Sequence, residues 1–226
     1  MLPQDQGEPE ILRVFTSRRE TRAFYDKISD VYDLLSEHTE APVRAAGIDM
    51  LSIQPGERVL EIGCGTGQCL AALAGPAGPN GRVLAVDLSE RMLKRSRVLL
   101  AHRGIAELVD LACADGALLP FRPAVMDAVF MSFTLELFDT AEITTVLAEC
   151  KRVLEPGGRI VVVGMSKEGP GGLLVEAYEW SHRHFPNFVD CRPIFVARAL
   201  EAAGFRVKEK TMQDMWLPVE VVLAEC

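Results

Sequence analysis

Apolar positions along the chain fall into two alternating kinds of run. Short, nearly continuous apolar stretches recur at 58–62, 82–87, 108–113, 126–132 and 158–164. Stretches of that length, rich in valine, isoleucine and leucine and bounded by glycine or polar residues, predict strands buried on both faces. Between them lie segments with helical spacing, near 66–74, 89–102 and 140–154. Asp139 with Glu142 three residues later has the form of a capping box for the last of these. E-P-G-G at 155–158 predicts its end and a turn into R-I-V-V-V-G. Such alternation predicts a parallel sheet with helices on both faces.

The pattern changes at both ends. Residues 1 to about 18 are polar with two prolines and are expected to fray. Phe24, Ile28, Val31, Tyr32 and Leu35 then share one face of a helix over Arg19–Leu35, followed by a second helical stretch, Val43–Leu51. Beyond 165 come a loop at Gly169–Gly172, an aromatic helical segment at 173–185 and a helix from Pro193 to Ala203, closed by Gly204. The last strands, about 205–211 and 215–224, have no helix between them and must pair as a hairpin, which puts an antiparallel strand in the sheet. Pro218 predicts a peripheral or bulged place for the last one. The organisation expected is an N-terminal helical extension or lid at 1–54 and an α/β domain at 55–226, with 166–192 as a lid insertion.

One stretch carries the chemistry. Arg58 to Gly67 reads R-V-L-E-I-G-C-G-T-G, an apolar strand running into Gly63, Gly65 and Gly67 before a helix. A glycine turn between strand and helix lets a ligand approach the main chain closely. The dinucleotide pattern G-x-G-x-x-G fails, because Gln68 or Leu70 stands where its last glycine belongs. The phosphate-loop pattern fails too, since the chain has no Gly-Lys pair. The second strand ends at Asp87, at the distance where a carboxylate accepts hydrogen bonds from both ribose hydroxyls of a nucleoside. The competing use of Asp87, capping the next helix, is one that Ser89 supplies unaided.

E-x-G-x-G-x-G resembles the first motif of the class I S-adenosylmethionine-dependent methyltransferases. The likeness runs from Phe24 to the end, and the strand order with its C-terminal hairpin matches that Rossmann-like, seven-stranded fold. More narrowly, F-Y-D-K-I-S-D-V-Y-D-L-L with V-L-E-I-G-C-G-T-G and R-V-L-E-P-G-G-R resembles the ubiquinone/menaquinone-biosynthesis C-methyltransferases. The resemblance implies S-adenosyl-L-methionine as cofactor. It assigns Glu61 to the loop and the cofactor's amino group, and Asp115 to the adenine amino group. Gly63, Cys64, Gly65, Gly67, Asp87, Leu88, Met92, Gly116, Ser132 and Phe133 complete the expected cofactor site. On the acceptor side the candidates are Tyr25, Tyr32, Trp180 and His184. His184, Glu136 and Tyr32 are the candidates for proton transfer, against which stand a lid rim, a solvated loop charge and a helix core. The acceptor is expected to be small or lipophilic. The alternative is a silent S-adenosylmethionine-binding sensor or partner subunit, and a general base in the pocket is the feature that separates the two.

Composition narrows the partners. With 226 residues, 49% apolar, the chain suits one α/β domain plus a lid. A net charge of −8 and a pI near 5.1 argue against a nucleic-acid surface. Arg91, Lys94, Arg95 and Arg97 read as a solvated helix face. The six cysteines include no C-x-x-C pair, and the two histidines around Arg183 do not share a helix face, so no metal is expected. Cys64, Cys113 and Cys150 are expected to be buried and free, as in a reducing compartment. No signal core or transmembrane segment is seen, so the expectation is a cytoplasmic enzyme, with a homodimer possible.

Overall fold

The computed structural model describes residues 11–14, 17–29, 32–168, 192–215 and 217–226, without the side chains of 32–38. Seven strands form one sheet among them: β1 Arg58–Ile62, β2 Arg82–Asp87, β3 Val109–Cys113, β4 Met126–Ser132, β5 Leu154–Met165, β6 Arg206–Asp214 and β7 Pro218–Glu225. Their order is β3-β2-β1-β4-β5-β7-β6. The first five run parallel, and β7 is antiparallel to both β5 and β6. β1 therefore sits mid-sheet, and the chain passes from β3 on one side of it to β4 on the other. That reversal leaves a crevice at the carboxyl ends of the strands.

The sheet's two faces bury separate cores, because side chains alternate along each strand. Val59, Val83, Ala85, Phe130, Val161 and Val221 pack towards α2 (Tyr32–Leu51), α3 (Leu70–Ala77) and α4 (Glu90–Arg103). Leu60, Ile62, Val129, Met131, Val162 and Val222 pack towards α5 (Thr140–Val153) and α6 (Val196–Ala202). α2 lies close on the sheet: a Cβ built on Gly47 would stand 2.5 Å from Val163 Cγ2. The same face is tied by Arg159, whose guanidinium bonds the Glu57 carboxylate at 2.7 and 2.8 Å and the Leu51 carbonyl at 2.6 Å.

Several boundaries differ from the sequence expectation, each for a local reason. The expected helix over Arg19–Leu35 is two helices. α1 covers Arg18–Ile28 and stops at Ser29, whose hydroxyl donates to the Asp26 carbonyl and takes over a last-turn acceptor. Helix α3 begins at Leu70 rather than 66, because Gly67 has φ +89° and the turn is still open there. E-P-G-G does not separate helix from strand. Met126 pairs with Leu154 and Ala128 with Arg159, so those four residues bulge out of β5. Pro218 is not at the periphery: β7 is an interior strand, and proline is tolerated as its first residue. Cys64 and Cys150 are buried, but Cys113 is exposed at the end of the edge strand β3. The aromatic segment 173–185 falls outside the described residues. No helix among the described residues is long and apolar enough to cross a membrane.

Candidate functional site

The chain leaves β1 at Gly63, and the loop is held from three sides. Gly63 N and Cys64 N donate to the Val86 carbonyl of β2 at 2.8 and 3.1 Å. Gly65 N donates to Asp87 Oδ2 at 2.8 Å, and the Ser96 hydroxyl on α4 donates to the Gly65 carbonyl at 2.8 Å. Gly65 has φ +53°, and a Cβ there would meet no atom within 4 Å, so its open side faces the crevice. The neighbouring glycines serve packing. A Cβ on Gly63 would lie 2.3 Å from Thr134 Oγ1, and one on Gly67 would lie 2.9 Å from Ser96 Oγ. Of the three, the middle glycine is the one where an added Cβ would meet no protein atom within 4 Å.

Asp87 organises the crevice floor. Its Oδ2 accepts from Gly65 N and its Oδ1 from Ser89 N, both at 2.8 Å. Ser89 is the N-cap of α4, its hydroxyl accepting from Met92 N at 3.1 Å and donating to Asp26 Oδ1 at 2.6 Å. The cap thereby pins α1 to α4. Loss of solvent raises the Asp87 pKa, against the backbone N–H groups of Ser89, Gly65 and Leu88 that lower it.

Across the crevice, Asp115 follows β3. Its Oδ1 accepts from Ala117 N at 2.9 Å and its Oδ2 from Arg18 Nε at 2.8 Å. Arg18, the first residue of α1, also pairs with Glu142 Oε1 at 3.1 Å and lies over the Phe138 ring at 4.4 Å. α1 is thus strapped over the opening between β3 and α5.

Glu61 lies behind the loop. It is 3% exposed, and its Oε2 has no hydrogen-bond partner. Burial pushes its carboxyl up to about 8, countered by the charge of Arg44 and a hydrogen bond from Cys69. Ser132 Oγ, at the end of β4, is likewise buried without a partner.

One cavity joins most of these groups. Of the expected cofactor residues, Gly63, Gly65, Asp87, Leu88, Met92, Asp115, Gly116, Ser132 and Phe133 line it, as does Tyr25 from α1. Glu61, Cys64 and Gly67 do not line it. Cys64 is 6% exposed and its thiol is pushed well above its ordinary value by burial, so it is an inert core group. Tyr32 begins α2, and its side chain lies outside the described residues, as do Trp180, His184 and Cys191. Glu136 is not a solvated loop charge: the 3-10 turn Leu135–Leu137 buries it completely. Sequence reasoning missed Arg18, Thr21, Thr134, Leu137 and Phe138, which also line the cavity. Only the apolar run ending β4 pointed near the last three, and nothing local marked Arg18.

Residues 59–158 match the family model described as a methyltransferase domain. The chain is 34% identical over 178 residues to the ubiquinone/menaquinone biosynthesis C-methyltransferase UbiE of Ectopseudomonas mendocina (strain ymp). That match covers 79% of this chain and 66% of the relative, just under two thirds of its length. Among solved structures, the [4+2]-cyclase SpnF is similar with a TM-score of 0.76 at 17% identity, over 95% of this chain and 97% of that one. The Burkholderia thailandensis 1,6-didemethyltoxoflavin-N1-methyltransferase is similar with a TM-score of 0.69 at 21% identity, over 100% of this chain and 97% of that one. At such identities the two structures speak for the fold alone.

Proposed function

We propose that this chain, which belongs to the class I S-adenosylmethionine-dependent methyltransferases, moves a methyl group to a small, conjugated acceptor in the crevice at the carboxyl ends of β1, β2 and β4. The observation that carries the reading is one cavity that joins the open Gly65 backbone to Asp87, Asp115 and Ser132, with the unpartnered Glu61 oxygen buried behind the loop. A ligand with a nucleoside and a charged amino-acid tail fits those groups. Asp87 has lone pairs left after its two backbone bonds and would take the ribose hydroxyls. Leu88 and Met92 would cover the adenine, with Asp115 at its amino group. The Glu61 oxygen and Ser132 Oγ would meet the polar tail.

The cofactor supplies a methyl group on an electrophilic sulfonium. The chain's part is to bind, orient and exclude water, so positioning supplies much of the rate. Phe133 and Phe138 form apolar wall, and Arg18 and Tyr25 cover the opening from α1. N-terminal residues through α1, together with segment 166–192, would serve as the lid over the acceptor. The relative's name carries a carbon acceptor of the quinone class, and we take the acceptor here to be of that kind: an electron-rich ring carbon beside an acidic oxygen. SpnF, which shares the fold and is named for another reaction, shows that fold alone does not set the activity. The test is product formation. The full chain with S-adenosylmethionine and a panel of hydroxylated aromatic acceptors is expected to yield S-adenosylhomocysteine and a product heavier by one methyl. Cofactor binding with no methylated product from any acceptor would favour the silent sensor.

A further inference from the structure

A second set of buried polar groups lies beside the cavity, and no step above uses it. Arg192 is 0% exposed. Its Nη2 donates to the Phe138 carbonyl at 2.6 Å, while its Nε and Nη1 have no hydrogen-bond partner among the described residues. Glu136 is also 0% exposed. Its Oε1 accepts from Met165 N at 3.2 Å, and its Oε2 has no partner. Each side chain feels the other's charge, yet no ion pair or hydrogen bond among the described residues joins them. Neither side chain lines the cofactor cavity itself, but Leu137 and Phe138, which follow Glu136, do, and Arg192 bonds the Phe138 carbonyl.

Such an arrangement is costly. A buried guanidinium nitrogen or carboxyl oxygen without a partner loses its hydration and gets nothing back. Burial lowers Arg192 to about 10, against the charges of Asp139 and Glu136. Burial and the charge of Glu40 on α2 raise Glu136 to about 8 against the Met165 N–H and Arg192. Arg13 is the remaining charge acting on Arg192, and it bonds Asp139. At neutral pH the set is therefore a cation with two free N–H groups beside a protonated acid with one free oxygen. An oxygen with negative charge would satisfy any of the three.

We infer that Arg192 and Glu136 form the subsite that binds an anionic oxygen of the acceptor, fixing the ring beside the cofactor cavity. The inference rests on the methyltransferase reading and deepens it, naming the acceptor as a conjugated or aromatic oxyanion. No proton moves in this step: the acceptor arrives ionised, Arg192 donates from a nitrogen that the Phe138 carbonyl leaves free, and Glu136 donates its O–H. Above pH 8 Glu136 ionises, its charge opposes the oxyanion, and binding weakens.

The test uses the full chain saturated with S-adenosylhomocysteine and titrated with 1-hydroxy-2-naphthoate, a fluorescent aromatic acid whose carboxylate keeps its charge between pH 6 and 10. Wild type is expected to bind the probe at pH 7 and to lose affinity about tenfold between pH 7 and 9. Arg192→Met should weaken the probe by roughly 10- to 100-fold, the loss of a charge-assisted bond, with S-adenosylhomocysteine affinity unchanged. Glu136→Gln keeps a neutral donor, so it should bind like wild type at pH 7 and lose the decline at high pH. Arg192→Lys keeps the charge without the guanidinium's spread of donors and should fall between wild type and Arg192→Met, which preserves the test if the methionine variant does not fold. Unchanged probe binding in Arg192→Met, a persisting decline in Glu136→Gln, or a wild type that binds S-adenosylhomocysteine but not the probe would each overturn the inference. Failure of wild type to bind S-adenosylhomocysteine would instead sink the methyltransferase reading.

Discussion

Glu61 makes the cofactor assignment testable through protons alone. Its carboxyl is buried, its Oε2 is unpartnered, and its pKa is pushed up to about 8. At pH 6.5 the ligand-free protein therefore carries it protonated, and ionising it costs about 2 kcal/mol. The α-ammonium of S-adenosylhomocysteine is charged at that pH. A charge-assisted bond to the carboxylate is worth about 1.5–3 kcal/mol, enough to offset the ionisation. Binding should then expel close to one proton, and affinity should rise about tenfold per pH unit below pH 7. Calorimetry at pH 6.5 in two buffers of different ionisation enthalpy counts that proton. Glu61→Gln cannot ionise, so the release should vanish and the affinity become flat with pH over the same range. Its fold should be little altered at pH 6.5, since a neutral amide replaces a neutral acid of the same shape. Zero proton release in wild type, or full release retained in Glu61→Gln, would refute the placement of Glu61 at the ammonium.

Other outcomes follow from the same geometry. Asp87→Ala removes the acceptor for Gly65 N and Ser89 N as well as a ribose partner. Denaturant unfolding should show a loss of about 1–3 kcal/mol, and calorimetry a 10- to 100-fold weaker cofactor, roughly. Gly65→Val places a branched side chain in open crevice at φ +53° and should abolish cofactor binding while the circular dichroism spectrum stays native. Arg18→Ala cuts the strap to Asp115, Glu142 and the Phe138 ring; hydrogen exchange in α1 should quicken without cofactor, and unchanged exchange would mean that Arg18 does not hold the helix. Glu40, Glu61 and Glu136 have folded pKa values of about 7, 8 and 8, above the ordinary carboxyl value. Their contribution is full below about pH 4.5 and lost as pH rises through 7 to 8, so the ligand-free Tm should fall from pH 5.5 to 8.5, and Glu61→Gln with Glu136→Gln should flatten it.

What the sequence made legible was set by repetition. β1, β2 and β4 are apolar runs in a fixed alternation with helices, so their place needed no long-range information. The Gly63–Gly67 turn and Asp87 were legible because strand, turn and strand end are close in the chain. The limits came where one feature served two ends. Gly63, Gly65 and Gly67 look alike as letters, yet their missing Cβ atoms face Thr134, the crevice and Ser96. Thr134 and Ser96 lie far along the chain, so no local signal separates the three roles. Arg18 was unreadable for the same reason: its partners Asp115 and Glu142 are about a hundred residues away and meet it only when α1 crosses the sheet end. Glu136 looked like a loop charge because a glutamate between a strand and a helix is ordinarily solvated, and only the 3-10 turn and β5 bury it.

The buried carboxyls at this end of the sheet need an explanation that stability does not give. Glu61 and Glu136 each leave an oxygen unpartnered, and each has been pushed towards its neutral form by lost solvent. A glutamine or leucine at either position would remove the penalty of ionisation that the ligand-free fold carries above neutral pH. Elsewhere the same chain satisfies its buried acids. Glu220, 0% exposed, accepts from the Ser166 hydroxyl at 2.5 Å and from Ala197 N at 3.1 Å. Both oxygens of Asp139, 9% exposed, accept from Arg13. The unsatisfied acids are therefore not a general looseness of packing. They flank one crevice: Glu61 stands behind the loop at the mouth of β1, and Glu136 beyond the wall formed by Leu137 and Phe138. Local rules broken together in one place, and kept elsewhere, mark groups held for a ligand. The two differ in what they await. Glu61 has Arg44 near it and a hydrogen bond from Cys69, but among the described residues its Oε2 has no donor, so a cation's N–H completes it as a carboxylate. Glu136 sits beside an unfilled guanidinium, so an oxyanion completes the pair with the acid still protonated. Opposite charges in the two ligands would explain why one fold end keeps two such acids separated by an apolar wall.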